Sequence, residues 1–378
     1  MNIWAVPRPA WAEIDLASIS HNMRQIRGQV GKQTKIMAVV KANGYGLGAE
    51  QIARTVLKSG ADRLGVATLG EGACLRMAGI TAPIMVLGYV PANQCELAIR
   101  HNIIQSVYSY EIAAQISAIA ARQNRQAVIH LKIDSGMGRI GFLPNPDSLK
   151  QIRNICQLPG IYVEGIYSHF ATADSADKSY ALHQLTVFEQ YLAQLSQAGL
   201  EFPLKHIANS GAILDLPQSY YDMVRPGIMV YGYYPSEDVN HNLKLLPALT
   251  VKAQISCLKV LPANSPVSYG CQWQSERESL IASLPLGYGD GYSRALSGRG
   301  QVLIGGQRAL IVGAVCMDQM MANITGMENI SIGDEAIIIG KQGREEITVE
   351  EIANKIGTIN FEILCNLSER LPRIYLNQ

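Results

Sequence analysis

Five places in the chain pair a chemically capable side chain with one local setting, the end of a short apolar run. Lys41 nears the close of TKIMAVVKA (34–42) and is followed by Asn43, two glycines and Tyr45. Arg139 lies just past AVIHLKID (127–134), and His169 is in IYVEGIYSHF (161–170). Asn209 and Ser210 end FPLKHIANS (202–210), and Arg225 stands in YDMVRPGIMVYG (221–232). An ammonium at the end of a buried strand costs several kcal/mol unless it is paired, neutralised or used covalently. The plainer reading of Lys41 is a lysine that snorkels off the strand end.

A lysine so placed can form a Schiff base with an aldehyde or ketone. Two ligands suit it: a sugar-like substrate, as in an aldolase, or pyridoxal phosphate (PLP). Backbone N–H groups near Gly227 and Ile228, with the hydroxyls of Tyr45 and Ser210, can cradle a phosphate. Ser210 reads equally well as the N-cap of a helix starting GAILDL. Arg225 narrows the choice, because a guanidinium can only donate hydrogen bonds. Facing a pyridine nitrogen, it keeps that nitrogen unprotonated and weakens the ring as an electron sink. That suits an enzyme which removes and returns one α-proton; the plainer reading is an arginine paired with a carboxylate. Racemisation needs a base on each face of the α-carbon. Lys41 can serve one face. For the other, VSYGCQW (267–273) offers Tyr269, but its ordinary pKa near 10 calls for a neighbour such as His169. By itself, a tyrosine before a glycine reads as a turn or core residue.

The elements that must position these groups alternate. Eight apolar runs lie between residues 34 and 232, adding RLGVATL (63–69), PIMVLGY (83–89) and IIQSVYS (103–109) to those above. Amphipathic stretches such as YEIAAQISAIAARQN separate them. Continuous apolar strands alternating with helices predict a parallel sheet covered by helices, and eight units predict a closed (β/α)8 TIM barrel of the α/β class. Functional groups of such a barrel collect at the C-terminal ends of its strands. After Pro247 the runs become short, β-rich and glycine-punctuated, and only TVEEIANKIG (348–357) reads as a helix. We therefore expect a barrel over 10–245 and an antiparallel β-rich domain over 246–378, joined by 1–9.

Lys+Arg 32 against Asp+Glu 31 leaves no basic stripe for nucleic acid or an anionic membrane. Seven scattered cysteines without a C-x-x-C pair argue for a reduced, cytoplasmic chain and against a zinc site. The N-terminus does not read as a signal peptide, and no apolar run reaches the ~20 residues of a membrane span.

The residues match a known pattern. RPAWAEIDLASISHN (8–22), AVVKANGYG (38–46), LKIDSGMGRIGF (131–142), SHFATAD (168–174), HIANSGA (206–212), DMVRPGIMVYGYYPS (222–236), VSYG (267–270), LPLGYGDGYSR (284–294) and GAVCMDQMM (313–321) occur in this order. Over almost its whole length the chain resembles the alanine racemases, fold-type III PLP enzymes. The resemblance implies that Lys41 is the Schiff-base lysine and one base. Tyr269 would be the opposing base, supplied by the other subunit of a head-to-tail homodimer. It implies phosphate contacts from Tyr45, Ser210, Gly227 and Ile228, with Asn209 beside them. Arg225 would face the pyridine nitrogen, backed by His206, and His169 would bond both that arginine and the tyrosine. Arg139 would contact the cofactor phenolate oxygen and the substrate, with Lys132 carbamylated to hold it. Met317 and Asp318 would lie on the substrate-carboxylate side, and Tyr288 at the entryway. The implied reaction is interconversion of L- and D-alanine, supplying D-alanine for peptidoglycan.

Two positions depart from the family. Leu47 replaces the usual histidine, at the expected start of the next helix. Phe361 stands where tyrosine is common, which removes one phosphate hydrogen bond worth ~1 kcal/mol and leaves alanine selectivity open. A racemase accepting serine as well as alanine is thus an alternative. A PLP decarboxylase would need a carboxylate where Arg225 stands. A PLP-binding protein without turnover would not need the long β domain.

Overall fold

The computed structural model describes residues 8–377. Residues 1–7, part of the segment expected to join the β-rich domain and to argue against a leader, lie outside the described residues. Strands are numbered in chain order. β1 (Ala10–Asp15) is followed by β2 (Lys35–Val39), β3 (Arg63–Val66), β4 (Ile84–Val86) and β5 (Ile103–Val107). Then come β6 (Ala127–Lys132), β7 (Ile161–Tyr167), β8 (Leu204–His206) and β9 (Met223–Val224).

β2 to β8 pair in sequence order, all parallel, and β9 adds beside β2. The amides of Asp222 and Arg225 donate to the carbonyls of Lys205 and Ala208 at 3.1 and 2.9 Å, which draws β9 alongside β8 and nearly closes the barrel. The eight apolar runs supply these eight strands, and helices such as Ala49–Lys58, Tyr110–Arg122 and Ser179–Gln197 intervene. Met37, Met85, Ile104, Tyr167, Leu204 and Met223, from six different strands, fill the interior as one cluster. Such inward side chains make a packed core rather than a pore.

Strands end sooner than the apolar runs do. In YDMVRPGIMVYG only Met223–Val224 is strand, because Pro226 has no N–H for a ladder and Ile228–Tyr231 turns into a 3-10 helix. Leu47 does not begin a helix; the helix starts at Ala49, and Leu47 is fully buried.

The chain falls into two compact units. One is the barrel, Ser18–Gly44 with Ala49–Pro247. The other gathers, among the described residues, 8–17, 45–48 and 248–377. Its ten-stranded sheet is built mostly of antiparallel pairs, with Glu335–Gln342 between Leu249–Gln254 and Gln301–Ile304. β1 was expected in the barrel. Instead it pairs antiparallel with Leu249–Gln254 and parallel with Arg373–Leu376. Its burial alternates along the strand, the signature of a sheet with one covered face. Thr348 caps the expected helix, Val349–Ile356, accepting from the Glu351 amide at 3.0 Å. A second helix, Asn360–Cys365, carries Phe361. Six residues are too few for a helical period to register in a sequence.

The segment Tyr45–Gly48 is fastened within the β-rich unit. Arg373 donates twice to the Gly46 carbonyl, at 3.0 and 2.8 Å, and the Tyr375 hydroxyl donates to the Leu47 carbonyl. A side chain at Gly46 would put its Cβ 2.2 Å from the Leu364 carbonyl oxygen.

Candidate active site

Lys41 stands two residues past β2, where the chain leaves the strand in a left-handed turn. Ala42, Asn43, Gly44 and Tyr45 all have φ between 51 and 63°. Non-glycine residues in this region are strained, and such strain collects at functional sites. Two side chains hold the turn. Glu71 accepts from the Ala42 amide at 2.6 Å, and Asn43 accepts from the Ala49 amide. Lys41 itself is exposed, so the expected burial of its ammonium is not found and the desolvation argument does not apply to the chain alone.

Arg225 is the organising residue of the barrel mouth. It is buried, and its guanidinium donates to His206 Nδ1 at 2.6 Å and His169 Nδ1 at 3.1 Å. It also donates to the carbonyls of Ser168 and Ile207 at 2.7 and 3.0 Å. The carboxylate partner of the plainer reading is replaced by imidazoles and carbonyls. Burial and the arginine's charge hold both histidines well below the usual imidazole range, so both are neutral. Burial also brings Arg225 down to about 10, which leaves it charged near neutral pH. Tyr167 lies at the centre, stacked on His206 at 4.8 Å between ring centres, with Lys132 and Arg225 5.0 and 5.3 Å from its own ring centre.

Lys132, the last residue of β6, is buried. Burial first, then the guanidinia of Arg225 and Arg139, lowers its pKa to about 7. Arg139 is exposed on the loop beyond, whose shape comes from Asp134 accepting three successive amides, Gly136 to Gly138. Asn209, not Ser210, caps the helix Ser210–Asp215, accepting from the Ala212 amide. Ser210 is thereby released for another use. Its oxygen accepts from the Gly227 amide at 2.9 Å, which leaves its own proton to donate, beside the turn that opens at Ile228.

The β-rich unit holds the remaining expected residues. Tyr45 and Phe361 face each other with ring centres 6.2 Å apart, and burial raises the Tyr45 hydroxyl's pKa. Tyr269 is 75% exposed. The residue before it, Ser268, has φ 67 and ψ −177°, a region normally left to glycine, and bonds the Ala314 carbonyl at 2.6 Å. Met317 and Tyr288 are exposed, in loops tied together by the Tyr288 amide to Cys316 O and the Gly289 amide to Met317 O. The Asp318 carboxylate is held by Arg370 at 2.7 Å, and a carboxylate cannot bind a carboxylate, so only its backbone can face an amino acid's carboxyl group.

Four residues escaped the sequence reading. Glu71 was legible, since Thr68-x-x-Glu71 is a capping box and both its bonds form. Glu164, His130 and Tyr167 sit inside apolar runs, and no spacing marks them. His130 Nδ1 lies 2.8 Å from His206 Nε2, and His130 Nε2 lies 3.0 Å from Glu164, which Arg63 clamps at 2.5 and 2.9 Å.

Fold and site define a class: a (β/α)8-barrel protein with a lysine, a histidine and two arginines at its strand ends and a hydroxyl-and-amide cradle between them. The description "Alanine racemase, N-terminal domain" matches residues 14–235, and "Alanine racemase, C-terminal domain" matches 248–375. The chain belongs to the alanine racemase family. An alanine racemase of Clostridium perfringens is 51% identical over 369 residues, 97% of this chain and 95% of the relative. The alanine racemase structure from Clostridium difficile superposes with a TM-score of 0.94 at 40% identity, covering 98% of this chain and 96% of that one. A histidine racemase from Leuconostoc mesenteroides shares the fold at TM-score 0.92 and 29% identity, covering 99% of both chains.

Proposed function

We propose that the chain interconverts L-alanine and D-alanine by removing and returning the α-proton with two bases, using pyridoxal 5'-phosphate. The observation that carries this reading is Arg225, a buried obligate donor fixed by two neutral histidines at the barrel mouth. The mouth fits the cofactor. Ser210, on the helix that Asn209 caps, accepts from the Gly227 amide and retains a donor proton beside the turn that opens at Ile228, which suits a phosphate. Tyr45 is a further phosphate donor on the family resemblance, and Phe361 supplies only a ring. Bound there, the cofactor supplies an aldehyde for the amino group and a ring that draws electrons from the α-carbon.

Lys41 would hold the cofactor covalently, and its Nζ exchanges the α-proton on one face. Tyr269 of a second copy serves the other face, which suits its exposure. His169 accepts at Nδ1 from Arg225, so its proton sits on Nε2, where it would donate to the Tyr269 oxygen of a second copy. With the cofactor bound, Arg225 would donate to the ring nitrogen and, being unable to accept, would leave it unprotonated, which would favour return of the proton over its loss. Arg139 would hold the cofactor oxygen and the substrate carboxylate, with Met317, Asp318 and Tyr288 on the approach. Lys132, with a pKa of about 7, has a substantial neutral fraction near neutral pH that can attack carbon dioxide, forming an N–C bond and losing a proton; the resulting carbamate anion would hold Arg139. The product D-alanine would serve cell-wall peptidoglycan, made in the cytoplasm by a homodimer.

Polarimetry of L-alanine with purified protein, with and without added PLP, tests this. PLP-dependent loss of rotation is expected. A PLP-loaded protein that leaves L-alanine unchanged would sink the reading. Phe361 and the likeness to a histidine racemase favour one second reading, a broader side-chain range. Loss of rotation of L-serine or L-histidine at a comparable rate would select it.

A further inference from the structure

The contacts from Arg225 inward form one unbroken line through the barrel. Arg225 donates to His206 Nδ1, 2.6 Å away. His206 Nε2 faces His130 Nδ1 at 2.8 Å, and His130 Nε2 faces Glu164 Oε2 at 3.0 Å. Arg63, the first residue of β3, grips both Glu164 oxygens. The line thus runs from the strand ends at the mouth to a strand start at the opposite rim.

Its proton positions follow from its two ends. A guanidinium cannot accept, so His206 Nδ1 carries no proton. A neutral His206 is then protonated at Nε2 and donates to His130 Nδ1. A neutral His130 is in turn protonated at Nε2 and donates to Glu164. The carboxylate closes the line as acceptor, held charged by Arg63 and His130. Every proton points away from the mouth, and no other arrangement of two neutral imidazoles satisfies all four contacts.

The backbone makes room for this line. A Cβ at Gly165 would lie 2.7 Å from both His130 Nδ1 and Cε1. Gly165 does not adopt a positive φ, so its missing side chain serves space and not backbone freedom. The β6–β7 register shifts between Ile129 and His130, and such irregularities re-aim side chains. Tyr167, stacked on His206 and bonded to Ser106 at 2.7 Å, fixes the plane of that ring.

We propose that Glu164, through His130 and His206, sets the proton order that holds Arg225 as a donor aimed at the mouth. Glu164, His130 and His206 are positioning residues; none needs to touch substrate. This deepens the proposed function and rests on it only for what Arg225 faces. The groups around His130 are Glu164, His206, Arg63 and Arg225; those acting on His206 are Arg225, His130, Arg63 and Lys132, with Tyr167 stacked on it. At His206 burial and the neighbouring cations all oppose imidazolium formation; at His130 Glu164 favours it, but burial, with Arg63 and Arg225, outweighs that pull.

The test is nitrogen NMR of protein labelled with 15N-histidine, with PLP bound, from about pH 5 to 9. Both imidazoles are expected to be protonated at Nε2 alone, with no titration. An imidazolium, or a proton on Nδ1 of either ring, would overturn the proposal. Neither outcome depends on racemase activity, so the proposed function can fail separately, by polarimetry. Glu164→Leu removes the closing acceptor. His206 should then show both tautomers, and kcat should fall on the order of tenfold with KM little changed, the size of loss seen when a hydrogen-bonded partner behind a metal-binding histidine is removed. Glu164→Gln, whose amide oxygen can still accept from His130, should restore the Nε2 tautomers and most of kcat. Wild-type tautomers in both variants, with only a lower Tm, would reduce Glu164 to a structural ion pair and overturn its assigned role. If Glu164→Leu does not fold, the wild-type and Glu164→Gln spectra still decide.

Discussion

Lys132 is a lysine whose surroundings nearly discharge it. Its folded pKa, about 7, lies well below the 10.5 it has when exposed. Between those values the unfolded chain binds more protons than the folded one, so stability rises with pH across that window and is flat below it. Lys132→Met should therefore flatten the pH dependence of the urea midpoint between about 7 and 10.5. An unchanged slope would show that Lys132 does not titrate there. Single residues were also where the sequence was most and least legible. Lys41, Arg139, His169, Ser210 and Arg225 could be picked out because each follows or ends an apolar run, and a barrel gathers such ends. His130 could not. Its partners lie 34 and 76 residues away, and a histidine inside AVIHLKID looks like any polar break in a strand. The burial of Lys41 was misread for a related reason. An apolar run tells where a strand passes, but not how sharply the chain turns after it.

Among the elements, the helix Leu69–Met77 does two tasks with one side chain. Glu71 completes its capping box with Thr68 and also accepts from the Ala67 amide and from Ala42, beside Lys41. Glu71→Ala should cost on the order of 1 kcal/mol for the lost bond to the Thr68 amide alone, read as a lower urea midpoint. Because the Lys41 turn loses an anchor as well, PLP affinity should weaken in the same variant, measured by absorbance titration. Lower stability with unaltered PLP affinity would separate the helix from the turn. The barrel strands were legible as elements because strands covered on both faces read as unbroken apolar runs. β1 was misassigned because AWAEID pairs with Leu249–Gln254 and Arg373–Leu376, far along the chain, and no local pattern reports which sheet a strand joins.

For the whole molecule, the proposed use of Tyr269 by a second copy has a distinctive consequence. Lys41→Ala and Tyr269→Phe should each abolish turnover as pure proteins. After the two are mixed and allowed to exchange subunits, each mixed dimer regains one intact site. A random mixture should then show about a quarter of wild-type activity. No recovery after verified exchange would place both bases in one chain. Cutting the chain at residue 246 is a poorer test, because β1 and Tyr45–Gly48 belong to the unit that would be removed. That discontinuity also bears on how the protein is made. The barrel's strands are all synthesised by Val224, but the strand that covers β1 and the side chains that clasp Gly46 and Leu47 come at 373–376. On the ribosome, the segment beside Lys41 must therefore wait for nearly the entire message to be read before it can be locked. A nascent chain can own a finished barrel well before it owns a finished catalyst.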